Sequence, residues 1–206
     1  MLKQFEEKKF DIPELVGISA TTIEEHLKLY SGYVKNANTI LAKIDEYSGD
    51  ADPVVVPTDE HGYALGEVSR RFGFEFDGMR NHEYYFAHLE GGSMPLATSG
   101  ALHQAIEEEW GSFDKWLTRF KKLALTRGVG WAFLYSDPKT GRLLNAWIDE
   151  QHFGHLTGLS PILALDMWEH SYVADYLPSG KKKYVDDFFT NLNWQSCEEN
   201  FANVKH

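Results

Sequence analysis

Ile23, Leu27, Tyr30, Val34, Ala37, Leu41 and Ile44 recur at spacings of three and four. That period lines one face of a long helix with apolar side chains. A strand cannot hold it, because strand side chains change face at every residue. Thr21 and Glu24 near its start have the spacing of a capping box. A second helical stretch begins near Thr58-Asp59-Glu60 and runs through SRRFGFEFDGMRNHEYYFAHLE. Residues 50–57 (DADPVVVP) form a proline-bracketed link between the two. Two long helices on a short link predict an antiparallel hairpin.

The stretch GGSMPLATSG at 91–100 marks the domain boundary. It separates an N-terminal helical hairpin, residues 1–92, from a C-terminal α+β domain, residues 93–206. ALHQAIEEEW and SFDKWLTRFKKLAL are helical patterns. GWAFLY (130–135), the turn SDPKTG and RLLNAWID (142–149) read as a β-hairpin. LSPILALD (159–166), bounded by turn residues, reads as a third strand with Asp166 at its C-terminal end. KKYVDDFFTNL is then the closing helix. The expected class is α+β: a helical hairpin, then a three-stranded antiparallel sheet flanked by helices.

The 206 residues are enough for one large domain or two small ones. The chain is 43% hydrophobic and 14% aromatic, a globular composition. A net charge of −11 argues against nucleic acid and anionic membranes as partners. It also repels an anionic substrate at long range, unless the mouth of the site is locally basic. Lys181, Lys182 and Lys183 are the candidates for that, set against their reading as a solvated run. One cysteine, Cys197, allows neither an intramolecular disulfide nor a cysteine-based metal site. MLKQFEEKKFDIPEL lacks the apolar region of a secretory signal, and no run approaches 18 apolar residues. A cytoplasmic protein with no membrane contact is expected.

The run DMWEHSYVADY, residues 166–176, carries the chemistry. Asp166 and His170, four apart, can converge on one side of a turn. An acidic oxygen and an imidazole nitrogen are half of a coordination sphere for a transition metal with mixed N/O ligands. Asp-x-x-x-His alone is common; with Trp168 and Glu169 between, the string is far rarer. It resembles the ligand motif of the iron/manganese superoxide dismutases. The resemblance extends from about residue 10 to Trp194 and implies one further histidine on each long helix. His26, in TIEEHLKLYSGYVKNAN, and His82, in RNHEYYF, stand in those places.

The implied activity is disproportionation of superoxide to O2 and H2O2. The implied cofactor is one iron or manganese ion per subunit, held by His26, His82, Asp166 and His170 and cycling between +3 and +2. Zinc cannot cycle, and all-oxygen ligands favour magnesium or calcium, so three imidazoles and one carboxylate suit redox iron or manganese. Taken singly, His26 also reads as a surface residue, His82 as a core residue, and Asp166 with His170 as a structural pair. A family fold kept as a non-enzymatic binding subunit, or another redox activity at the same site, stays open. His61, His88, His103, His152, His155 and His206 fit no ligand position.

The resemblance also assigns the surroundings. Tyr33 is similar to the active-site tyrosine, and Trp131 and Trp168 to the aromatic walls. The family draws a Gln or His toward metal-bound solvent from one of two places. One, four residues before the second ligand, is Gly78 here. The other gives Gln151, 15 residues before Asp166, with His152 as the alternative. Glycine with glutamine resembles the manganese-type arrangement. Glu169 implies a homodimer in which it bonds His170 of the other subunit, with a tetramer open.

One stretch departs from the family pattern. The usual Lys-His-His run is absent, and Tyr33 follows His26 by seven residues, one fewer than usual. A π-type bulge present in one form and not the other accounts for such a shift. Sliding the alignment to make Glu25 the ligand is rejected, because the match upstream of His26 is strong and a glutamate adds negative charge. Counted from His26, Tyr30 takes the place of the gateway histidine, and Val173 that of its partner tyrosine.

Overall fold

The computed structural model describes residues 3–48 and 60–204. The link at 50–57, the expected start of the second helix at Thr58-Asp59 and His206 lie outside them. Helix α1 spans Ala20–Ser48 and α2 spans Glu60–Ala87. Ile23, His26, Tyr30, Val34 and Ala37 are the buried face of α1, as the apolar period requires. His26 meets His82, while Asn36 donates to Glu75, so the two helices run antiparallel.

The expected capping box at Thr21 is not what starts α1. Ser19 is the cap: its hydroxyl oxygen accepts from the Thr22 N–H at 3.2 Å. An Asp175 oxygen from the far end of the chain accepts the Ser19 N–H at 2.9 Å and the Thr22 hydroxyl at 2.7 Å. Orphan donors at a helix start need such acceptors. The acidic group beside them also suits the positive end of the helix dipole. A strap of chain before α1 is fastened along its length. Phe5 and Asn38 exchange two bonds of 2.9 Å, and Asn191 exchanges bonds of 2.8 and 2.9 Å with Val16.

Two helices follow, α3 (Ala101–Trp110) and α4 (Phe113–Ala124). Strands β1 (Gly130–Ser136), β2 (Leu143–Asp149) and β3 (Ser160–Asp166) form an antiparallel sheet in the order β2-β1-β3. Central β1 is buried throughout. The outer edge of β3 is covered by side chains: Ala164 N–H donates to His88 Nε2 at 3.1 Å, and Asn200 donates to the Ile162 carbonyl at 3.1 Å. Closing an edge in this way prevents strand addition there. Past β3 come a 3-10 turn at Glu169–Ser171, a short helix α5 (Val173–Tyr176) and α6 (Lys181–Asn191). Helix α6 does not close the chain as expected. A further helix, α7 (Trp194–Ala202), follows, capped by the Asn193 side chain.

Candidate metal centre

Four elements converge at one point. His26 comes from α1, His82 from α2, Asp166 from the end of β3 and His170 from the turn beyond it. Asp166 pairs with Trp131 in the β1–β3 register, which fixes where its carboxylate emerges. The Trp168 N–H donates to Asp166 Oδ1 at 2.8 Å, leaving Oδ2 to face the histidines. His26 Nε2 lies 3.0 Å, His170 Nε2 3.1 Å and His82 Nε2 3.6 Å from that oxygen. The four donor atoms all lie within 4.8 Å of one another. His26, His82 and Asp166 are buried, and only His170 keeps some exposure, 22% of its side chain.

His82 tests whether a metal suits the set. Its Nδ1 is 2.6 Å from the Gly78 carbonyl, which can only accept, so Nδ1 carries the proton and Nε2 is a bare lone pair. That Nε2 is buried and has no hydrogen-bond partner. Burial, then the neighbouring His26 ring, pushes the His82 pKa down to about 3, so the ring is neutral. Burial also lowers the His26 pKa. Burial alone would raise Asp166; the charge of His170 and hydrogen bonds from His170 and His26 outweigh it and hold the carboxyl below its usual range. The neutral His26 and His82 rings beside an ionised carboxylate, with His82 Nε2 unpaired, fit a di- or trivalent transition ion.

Gln151 is fully buried behind the histidines. The Trp131 indole N–H donates to Gln151 Oε1 at 2.9 Å, and Gln151 Nε2 donates to the Tyr33 hydroxyl oxygen at 3.0 Å. The Trp131 and Tyr33 rings pack on His82 at 5.0 and 5.1 Å. Trp168 stacks on His170 at 5.9 Å. His152, the alternative to Gln151, turns instead toward Phe74 and Phe153.

Two expectations are corrected. Tyr30 is not at a gateway. It is fully buried, accepts the Lys8 N–H at 2.9 Å and donates to Glu83 at 3.3 Å. Helix α1 is α-helical throughout with no π-turn, so one missing residue rotates the following positions by about 100°. The partly exposed residue four before Tyr33 is Leu29. Two of the three lysines of the basic run are engaged rather than free. Lys181 donates to the Thr126 and Gly128 carbonyls, and Lys183 pairs with Asp187. The cation beside the aromatic wall is Arg71, which the sequence did not single out. Its guanidinium lies 3.7 Å over Phe74, a ring that packs on Tyr33 and Trp168. Its only sequence signal is its place three residues before Phe74, a helical neighbour.

A helical hairpin and the end of a small sheet, clasping a buried three-histidine, one-aspartate donor set, define a transition-metal protein of α+β class. Residues 98–200 match the family model of iron/manganese superoxide dismutases, C-terminal domain. The chain is 38% identical to a superoxide dismutase [Fe] of Cupriavidus metallidurans over 92% of this chain and 91% of the relative. It is 33% identical to a superoxide dismutase [Mn] of Mycolicibacterium smegmatis over 86% and 81% respectively. A superoxide dismutase [Fe] of Aquifex aeolicus is 34% identical over 91% of this chain and 85% of the relative. The chain belongs to the iron/manganese superoxide dismutase family.

Proposed function

We infer that the protein is a superoxide dismutase, an oxidoreductase that converts superoxide to O2 and H2O2. The observation that carries this is the bare, buried His82 Nε2 within 4.8 Å of two other imidazoles and an ionised carboxylate. His26, His82, Asp166 and His170 would hold one iron or manganese ion per chain. Bound there, the ion would supply one-electron redox chemistry between +3 and +2.

The chain's own residues do the rest. An indole N–H can only donate, so Trp131 fixes Gln151 Oε1 and thereby turns Nε2 toward Tyr33. Nε2 has two hydrogens and the Tyr33 contact uses one, which leaves a donor for solvent at the site. Burial and then the Asp166 charge raise the Tyr33 pKa, so its hydroxyl keeps its proton while accepting from Gln151. The rings of Trp131, Phe86 and Trp168 keep bulk water from the donors. The pairing of Gly78 with Gln151 supports manganese over iron.

The exposed Glu169, immediately before the ligand His170, supports a homodimer in which it bonds His170 of the other subunit. Leu29 and Val173 would then make the gateway aliphatic. The single, buried Cys197 supports a cytoplasmic protein. Replacing Asp166 by alanine tests the site. The folded variant should retain neither metal nor superoxide consumption; full metal and full rate would contradict the assignment.

A further inference from the structure

The main-chain carbonyl of Gln151 is held from two sides. Asn81, next to His82 on α2, donates to it at 2.9 Å, and His155 Nε2 lies 3.1 Å from it. A carbonyl only accepts, so His155 carries its proton on Nε2 and leaves Nδ1 as an acceptor. The Tyr135 hydroxyl, on β1, is 2.5 Å from that Nδ1 and must donate to it. The three groups form one directed chain, from Tyr135 through His155 to Gln151. We propose that His155, held by Tyr135, is a positioning residue that clamps the Gln151 backbone so that its carboxamide stays between Trp131 and Tyr33.

The loop needs such a clamp. Glu150, immediately before Gln151, sits at φ +52, a left-handed conformation that a non-glycine residue keeps only when its surroundings hold it. Its carbonyl accepts from the Trp168 indole at 3.1 Å. Gly154, at φ +105, lets the chain fold back so that His155 reaches the carbonyl four residues earlier. The imidazole is wedged edge-on against Phe133 at 5.3 Å. Burial lowers the His155 pKa, which keeps the ring in the neutral form the chain of bonds requires. Without the clamp, Asn81 keeps one bond, and the strained turn is free to relax and carry the carboxamide with it.

The inference rests on the reading of Gln151 given above, and the test separates the two. The metal-loaded protein is compared as H155F, H155Q, Y135F and Q151A, and as the H155F/Q151A double variant. Metal content, kcat, midpoint potential and the visible absorption of the oxidised form are measured. H155F should lower kcat roughly 10-fold or more and move the potential in the direction that Q151A moves it. Y135F should do so to a smaller degree, and H155Q, which restores an N–H donor, should rescue both. In the Q151A background H155F should add nothing, because it acts through Gln151. Should H155F fail to fold, the Y135F and H155Q results decide the matter. A shift with Q151A but none with H155F or Y135F, or an additive shift in the double variant, would overturn the clamp alone. No change with Q151A itself would overturn the reading of Gln151 and the clamp with it.

Discussion

Gly78 and Tyr33 contend for the same space: a Cβ built on Gly78 would lie 2.6 Å from Tyr33 Cδ1. Glycine inside a helix costs about 1 kcal/mol relative to alanine, and α2 bears that cost so that the tyrosine ring can reach Gln151. Gly78→Ala should therefore destabilise the protein by about 1–3 kcal/mol through overpacking, despite the better helix former. It should also slow superoxide turnover as Tyr33 is displaced. Denaturant unfolding and a rate assay on the same sample check this; a stabilised, fully active variant would refute it.

Asp175 ties the start of α1 to the segment that carries His170, five residues earlier in sequence. Asp175→Ala should cost about 1–2 kcal/mol as a lost helix cap and accelerate metal loss, because His26 lies in the second turn of that helix. Asp175→Asn, which keeps an acceptor, should retain most of both. The comparison needs a thermal melt and a metal-release time course; equal behaviour of alanine and wild type would remove Asp175 from the account.

Acid should destabilise the metal-free protein through His88. Burial pushes its pKa down to about 3 from an ordinary 6.5. Between those values the unfolded chain binds a proton that the folded chain does not, so stability is full above about pH 6.5 and falls as the pH drops toward 3. The size is on the order of 5 kcal/mol. His26, His82 and His155, also lowered by burial, act with the same sign, so His88 supplies one part of the acid slope. His88→Gln should flatten the stability profile across this range, measured by urea unfolding at several pH values. An unchanged acid slope would mean that His88 contributes nothing to it.

If the proposed homodimer forms through Glu169, replacing it by alanine should shift the protein toward monomer at micromolar concentration. Sedimentation velocity reads this directly. A variant as dimeric as the parent would show that the subunits meet elsewhere.

Much of this was legible in the sequence because it is local. The helical period of α1, the hairpin of β1 and β2, and the Asp166-Trp168-Glu169-His170 string depend on neighbours within a few residues. What was not legible depends on distant partners. Ser19 caps α1 with help from Asp175, 156 residues away, and no local motif signals that. Tyr30 was misplaced because counting from His26 assumed the family's helix phase, while a regular α1 turns Tyr30 inward to Lys8 and Glu83. Arg71 lies on α2 far in sequence from the wall it touches, except for Phe74. His155 matched no ligand position, and its role is visible only once Tyr135 and Gln151 are seen on either side of it. Helix α7 was within reach, since Asn193 is a good cap residue.

The most direct test is elemental analysis of protein produced with iron or with manganese, with superoxide consumption assayed on the same samples. The account predicts close to one ion per chain and activity that follows one metal, manganese. A folded protein with no stoichiometric metal and no superoxide consumption would contradict it.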